Sequence, residues 1–326
     1  MTADLRTALR LQPPEVAAVH ALVDRVVAAD GHLPLSEHVM LHLPLGGDED
    51  VRHVLVPAGV DQDGGVDQDG GEGPDGGEAL DGGAGLLGYA HLDVTDRVAG
   101  SSAELVVAPA ARRQGIGRAM VEELLRQSPD GRLRLWAHGD HPGAAALATA
   151  LGFTRARVLW QMRRPLTGEL PAYALPDGIT LRSFQVGRDE VEWTALNARA
   201  FAGHPEQGGW GVDEVLLRER EPWFDPEGFL LAERDGALVG FHWTKVHGSD
   251  PGHPHGPVGE VYVLGTDPAE QGRGLGRALT LAGLHSLQAR GLDSVLLYVD
   301  ESNAAAVRVY ERLGFSRATT DVSWSR

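Results

Sequence analysis

The sequence predicts an α/β (α+β layered) protein built from two tandem copies of one domain, each a mixed central sheet flanked by helices. Length points the same way, since 326 residues correspond to about two domains at roughly 100–200 residues each. The stronger observation is an internal repeat. Val107-Ala108-Pro109-Ala110-Ala111-Arg112-Arg113-Gln114-Gly115-Ile116-Gly117-Arg118-Ala119 reads like Thr266-Asp267-Pro268-Ala269-Glu270-Gln271-Gly272-Arg273-Gly274-Leu275-Gly276-Arg277-Ala278. Upstream, Leu87-Gly88-Tyr89-Ala90 matches Val239-Gly240-Phe241-His242, and downstream Leu151-Gly152-Phe153 matches Leu313-Gly314-Phe315. The matches keep their order and nearly their spacing. Within each copy, short apolar strands alternate with helical patterns, which argues for layered helices and sheet.

The elements follow in order. In the first copy the apolar strands Val51–Pro57 and Leu86–Val94 flank a stretch, about 57–85, that repeats Val-Asp-Gln-Asp-Gly-Gly and carries eight acids and no base. Gly and Asp at that density bury nothing and cost entropy to order, so a disordered insertion at a hairpin tip is expected. Without a calcium-loop frame and its bidentate Glu, the acids do not read as a cation site. The segment 166–176, punctuated by Pro171 and Pro176, is the expected linker, with domains at 1–165 and 177–326. The second copy predicts an N-terminal helix, strands Phe229–Ala232, Leu238–Thr244 and Gly259–Gly265, and a glycine turn. A helix over Gly276–Arg290, a strand over Ser294–Val299, a helix over Asn303–Leu313 and a closing strand complete it. Ser294–Val299 is almost continuously apolar, as a strand buried on both faces is.

Composition narrows the function classes. The apolar fraction of 42% and charged fraction of 23% are those of a globular protein. The absence of cysteine excludes disulfides, thiolate nucleophiles and Cys-ligated zinc. A net charge of −17 argues against general binding to nucleic acid or an anionic membrane. The start, Met1-Thr2-Ala3-Asp4-Leu5-Arg6, lacks a basic region followed by an apolar core, and no long uncharged apolar run follows. A cytoplasmic monomer is therefore expected. Of the 29 Lys plus Arg residues, Lys245 alone is lysine.

The repeated glycine turn carries chemistry. Alternate glycines between a strand and a helix let successive backbone N–H groups converge, and the helix N-terminus adds partial positive charge. That is a pyrophosphate cradle, workable on an acidic protein. The dinucleotide fingerprint does not fit, because the third Gly arrives one residue early. The phosphate-loop motif lacks its Lys-Ser/Thr. The [Arg/Gln]-x-x-Gly-x-Gly pattern in both halves, with Leu-Gly-Phe near the end of each, resembles the GNAT acetyltransferase superfamily. The resemblance implies that this turn binds the pyrophosphate of acetyl-CoA. In the first copy it assigns cofactor contacts to Leu105, Val106, Val107, Arg113, Gln114, Gly115, Ile116, Gly117 and Arg118. In the second it assigns them to Leu264, Gly265, Thr266, Gln271, Gly272, Arg273, Gly274, Leu275, Gly276 and Arg277, and to Asn303, Ala304, Ala305, Ala306, Val307 and Arg308. Asn303 equally suits a plain helix N-cap.

Acetyl transfer to an amine needs a neutral amine, donors for the oxyanion and a proton for the leaving thiolate. Glu260 lies on a strand just before the turn, and alternation places it on the face of Tyr262. A carboxylate in a partly dry cleft suits a general base, direct or through water. Tyr310 on the last helix suits the general acid, a role the resemblance also implies. In the first copy, His141 stands in the place of Asn303 and Ala148 in that of Tyr310, so the C-terminal copy is the expected catalyst. The N-terminal copy then binds acetyl-CoA or serves as scaffold.

Four strings of unusual composition in the second half, 204–210, 221–226, 240–247 and 259–263, narrow the resemblance to family members that acetylate a polar pseudo-disaccharide thiol. It implies acetyl transfer to the cysteinyl amine of cysteinyl-glucosaminyl-inositol, with substrate contacts at Glu37, Glu206, Lys245, Glu260 and Tyr298. An ammonium, as a compact point charge, suits sugar or cyclitol hydroxyls. His253 and His255 lie in a Pro/Gly loop without a neighbouring carboxylate and read as loop residues, so no metal is expected. Acetylation of another amine, a protein N-terminus or an aminoglycoside, and a silent CoA-binding sensor are the alternatives.

Overall fold

The computed structural model describes residues 4–44, 50–58, 85–95, 100–202, 209–248 and 256–326. Residues 59–84 of the acidic stretch, Glu206, His253 and His255 lie outside them. The ends of the acidic insertion meet, the Ala58 N–H donating to the Gly85 carbonyl at 2.6 Å. The chain forms two compact units, Met1–Arg157 with Asp321–Arg326, and Val158–Thr320.

In unit 1 the elements are β1 (Arg6–Ala8), α1 (Pro13–Asp30), α2 (Glu37–His42), β2 (Val51–Pro57), β3 (Leu86–Asp93), β4 (Ser101–Val107), α3 (Ile116–Gln127), β5 (Leu133–Ala137) and α4 (Pro142–Ala150). The strands β1 to β4 pair antiparallel in sequence order, and β4 pairs parallel with β5. Pro at the start of α1 and Gly31 in the left-handed conformation after it bound that helix. Val19, Leu22, Val23, Val26 and Val27 form its buried stripe. Gly88 on β3 is required by close approach, because a Cβ there would lie 2.8 Å from the Met120 sulfur on α3.

Unit 2 contains β6 (Thr154–Pro165) from Val158 onward, β7 (Ile179–Ser183), α5 (Glu190–Ala200), α6 (Val212–Arg218), β8 (Phe229–Arg234), β9 (Ala237–His247), β10 (Val258–Thr266), α7 (Leu275–Ala289), β11 (Ser294–Asp300), α8 (Ala304–Arg312) and the first half of β12 (Ser316–Ser325). Its strand order is β6-β11-β10-β9-β8-β7, with β10 and β11 parallel and their neighbours antiparallel. The repeat is visible in the packing: a Cβ on Gly240, which matches Gly88, would lie 2.9 Å from Leu279 on α7. Strand β9 is buried on both faces. Phe241, Trp243 and Lys245 project to one side, and His242 and Thr244 to the other. Phe229 stacks on Trp243 at 4.3 Å, and Trp193 of α5 meets Trp243 edge-on at 5.7 Å, so α5 covers the Trp243 face.

The compact units do not coincide with the expected limits of 1–165 and 177–326. Residues 159–165 of β6 pair with β11 in unit 2, while Val322–Ser325 of β12 pair with β5 in unit 1. The expected linker packs onto unit 2, where Leu166 and Leu170 are buried and the Leu166 carbonyl accepts from Gln288. Strand periodicity specifies which side chains are buried but not which sheet edge a closing strand joins.

Where β12 enters unit 1, Asp321 completes a buried charge cluster. The His138 Nδ1–H donates to Asp321 Oδ2 at 3.0 Å, and Nε2 lies 3.4 Å from Glu104. The Gly139 N–H donates to Asp321 and the Ser36 N–H to Glu104. Burial opposes a charge on His138, but the hydrogen bonds and charges of Asp321 and Glu104 outweigh it and push the imidazole up to about 10. A raised pKa stabilises the folded form fully below the unfolded value near ~6.5, and this stabilisation is lost as pH rises through about 10. Replacing His138 by Gln is expected to cost roughly 3 kcal/mol at pH 7, because two buried carboxylates lose their cation. Urea unfolding at pH 7 and pH 10 checks this: the wild-type loss of stability across that window should flatten in the variant.

Candidate active site

The site in unit 2 starts from a strand pair that comes apart. Strand β10 pairs with β11 only at Gly259–Val261 opposite Val295–Leu297, although β10 continues to Thr266 and β11 to Asp300. On its other edge, β10 shifts register with β9 between Val261 and Val263, so Tyr262 is an extra residue. A bulge of this kind bends the strand. Tyr262 and Val263 both join the aromatic cluster of Phe241, Trp243 and Trp193. Beyond the bulge, Leu264, Gly265 and Thr266 pair with β9 but not with β11. Their β11-facing edge offers backbone donors and acceptors to an extended ligand.

The glycine turn follows. Asp267 receives the Ala269 N–H at 3.0 Å and pairs with Arg199 of α5 at 2.9 Å, which fixes the strand exit. Gly272 and Gly274 then take φ of 77° and 85°, and Gly274 caps α7. The first bond of the helix runs from the Ala278 N–H to the Gly274 carbonyl. The amides of Leu275, Gly276 and Arg277 therefore precede the helical ladder and point out of the N-terminus. These amides suit a pyrophosphate. Arg273 is largely exposed, 3.5 Å from Glu270, while Glu270 itself is held by Arg234. Gln271 stands at the exit of the short turn Pro268–Glu270.

Unit 1 has the same backbone shape. Arg113 takes the left-handed conformation at φ 66° where unit 2 has Gly272, and Gly115 caps α3 at φ 87°. Ile116, Gly117 and Arg118 form the first turn of α3, and Arg118 lies 3.5 Å from Glu122. Gln114 donates to the Ala110 carbonyl. Leu105, Val106 and Val107 likewise lie beyond the β4–β5 pairing. The β3–β4 register runs unbroken from Ser102 to Val107, so this strand lacks the bulge.

A polar row crosses the unit 2 sheet on its α5 side. Glu260 lies opposite Lys245 on β9 and beside Leu296 on β11. Both charged side chains are buried. The His247 Nε2–H donates to Glu260 Oε2 at 2.6 Å. The Lys245 ammonium sits 4.3 Å from the Trp223 ring centre and 5.4 Å from that of Tyr262. The buried Arg218 donates to the Tyr262 hydroxyl at 2.6 Å and stacks 3.8 Å over Trp210. Tyr298 is 44% exposed and receives the Gln161 side-chain N–H at 2.8 Å. The expected complete burial of Ser294–Val299 is thus relieved at Tyr298. As alternation predicted, Glu260 and Tyr262 share a face.

Tyr310 lies on the other side. Its ring is buried in a cluster with Val261, Leu297 and Val307 and meets Phe315 at 5.7 Å. Val261 alternates with Glu260, so the carboxylate and the phenol flank opposite faces of the sheet next to the point where the strands part. Burial alone pushes the phenol up to about 12. Asn303 caps α8 by accepting the Ala306 N–H at 3.1 Å. Ala304, Ala305, Ala306, Val307 and Arg308 form the first turns of that helix.

The candidates divide between the units. Lys245, Glu260, Tyr298 and Tyr310 belong to unit 2, whereas Glu37 opens α2 in unit 1 and Glu206 lies outside the described residues. By strand register, Ser102 takes the place of Glu260 and Asp93 that of Lys245. Ala148, at the position of Tyr310, is buried on α4. Unit 1 keeps the cradle without the carboxylate or the phenol. His247, Trp223 and Arg218 were not assigned roles from sequence. For His247 a signal existed, since it follows Lys245 by two residues and therefore faces the same way. No local pattern connects Trp223 or Arg218 with a strand distant in sequence.

The acetyltransferase (GNAT) family model matches residues 194–315, and an acetyltransferase (GNAT) domain model matches 78–155. The mycothiol acetyltransferase of Streptosporangium roseum is 51% identical, covering 97% of each chain. That of Acidothermus cellulolyticus is 52% identical, covering 97% of this chain and 93% of the relative. Among solved structures, a tandem GNAT protein from the clavulanic acid biosynthesis pathway superposes with a TM-score of 0.68 at 18% identity, covering 99% of this chain and 98% of the other. Gly274→Ala forces a Cβ into the left-handed conformation, at a cost of roughly 1–2 kcal/mol, and disturbs the converging amides. Acetyl-CoA binding at the unit 2 turn, measured by calorimetry, should weaken about tenfold or more, with the melting temperature lowered by only about 2–8 °C.

Proposed function

The chain belongs to the acetyltransferase (GNAT) family and is an acetyl-CoA-dependent N-acetyltransferase, and from that premise we propose that its C-terminal unit acetylates the cysteinyl amine of cysteinyl-glucosaminyl-inositol. The product is mycothiol, as the name of its relatives indicates, and the reaction is the last step of mycothiol biosynthesis. The observation that carries the reading is the buried pair of Glu260 and Lys245 on one face of the parting strands, with Tyr310 behind the other.

The thioester enters along the free edge of Leu264, Gly265 and Thr266, with its pyrophosphate on the amides after Gly274. The start of α8, Asn303 to Arg308, borders the pantetheine. Backbone N–H groups on β10 stabilise the oxyanion. An α-amine has an unperturbed pKa near ~7.7–8, so a carboxylate is base enough at neutral pH. Glu260 takes the amine proton, directly or through one water, from the side where Lys245 and Tyr298 meet the polar glycoside. Lys245 is held by rings rather than by a flexible surface setting, which preorganises its ammonium for hydroxyls. Residues matching Glu37 and Glu206 are further proposed substrate contacts, on the resemblance alone.

Tyr310 supplies the proton to the departing sulfur. A solvated thiol has a pKa near ~8.5, below the 12 or so of this phenol. Exclusion of water that raises one also raises the other, so the transfer is matched when the cleft closes around the sulfur. The N-terminal unit, with the same turn at Arg113 to Arg118, binds acetyl-CoA without turning it over.

A thiol-release assay with acetyl-CoA and a panel of amines tests the reading. Turnover should be confined to the cysteinyl glycoside. Equal turnover of a peptide N-terminus or an aminoglycoside would replace it, and tight acetyl-CoA binding without any turnover would indicate a sensor. Tyr310→Phe should lower kcat about 100-fold or more with acetyl-CoA binding retained. No alkaline limb attributable to Tyr310 should appear in the wild-type rate profile below roughly pH 11, since a phenol near 12 remains protonated there. Lys245→Ala should raise KM for the glycoside roughly tenfold, with kcat changed far less.

A further inference from the structure

Glu260 meets two side chains from the neighbouring strand. Lys245 stands opposite it in register, and His247 follows two residues along β9 on the same face, opposite Val258. From β11 the neighbour in register is the apolar Leu296, and the next residue on that face is Tyr298. Arg163 on β6 stands beyond Leu296 in the same row. An ionised carboxylate only accepts, so the short bond between His247 and Glu260, 2.6 Å long, has Nε2–H as its donor. The bond takes one carboxylate oxygen, Oε2. The His247 side chain is 19% exposed and that of Glu260 is 9% exposed, so the imidazole lies on the solvent side of the base.

We propose that His247 is a positioning residue for acetyl transfer: its Nε2–H pins Oε2 of Glu260 so that Oε1 is presented to the acceptor amine. The inference rests on the reading of Glu260 as the base. A free glutamate carboxylate rotates about its last torsion with a broad, two-fold preference. Held by the backbone alone, Glu260 would distribute its oxygens between the Lys245 ammonium and the amine. A charge-assisted bond at one oxygen removes that freedom. An error of about 1 Å in such placement can cost on the order of 100-fold in rate.

Kinetics on the full chain with acetyl-CoA and the cysteinyl glycoside test the proposal, with Glu260→Gln as reference. His247→Ala should lower kcat roughly 10- to 100-fold while both KM values stay within about twofold. His247→Gln places an amide N–H near the position of Nε2 and should recover kcat to within about fivefold of wild type. A kcat unchanged in His247→Ala, a loss confined to KM, or no recovery in His247→Gln would overturn the proposal while Glu260→Gln remains inactive. Full activity in Glu260→Gln would instead remove the base assignment, and this proposal with it. Circular dichroism and thermal melting of each variant establish that the chain is folded, and His247→Gln is decisive should His247→Ala not fold.

Discussion

Parallel strands β10 and β11 hydrogen-bond over a short stretch and then part beside the Tyr262 bulge, and the geometry of the C-terminal unit depends on that separation. Before it, the sheet is continuous and holds Glu260 and Lys245 in one buried row. After it, a free strand edge leads into the turn capped by Gly274. A packed aromatic cluster holds the bulge in place: Tyr262 lies against Trp223 and Trp243, and the buried Arg218 bonds its hydroxyl. Two charged groups can lie within this core because each meets a partner that offsets its desolvation, His247 for Glu260 and the Trp223 and Tyr262 rings for Lys245.

Duplication lets the contributions of backbone and side chain be separated. Both units form the same turn, one with Gly272 and one with Arg113 in the left-handed conformation. Convergent amides need only that shape. A proton acceptor and a proton donor need particular side chains, and unit 1 has Ser102 and Ala148 at those places. The excess negative charge of the chain is compatible with an anionic ligand, because the dipoles that receive it are fixed and local. Eight of the acids, moreover, lie in the 57–85 insertion.

The closing strands show another dependence. Unit 1 is completed by residues 321–326, and Asp321 brings to it a carboxylate that bonds the His138 imidazole, whose other nitrogen faces Glu104. Three ionisable groups that would each be costly to bury alone become acceptable together, since each hydrogen bond offsets a desolvation. The C-terminal residues therefore matter to the first unit although the sequence places them at the end of the second.

The sequence by itself determined the duplication, the glycine turns, most strand and helix limits and the identity of Glu260, Lys245, Tyr298 and Tyr310 as candidates. These are local or repeated features: alternation on β9 and β10, a helix opening at Gly274, a capped helix after Asn303. Only the tertiary structure decided which sheet each closing strand joins, that β10 bulges at Tyr262, and that His247, Trp223 and Arg218 support the polar row. Strand alternation carries face but neither partner nor register. Contacts between residues such as Trp223 and Lys245 leave no period in a chain, because packing selects them only after the sheet has formed.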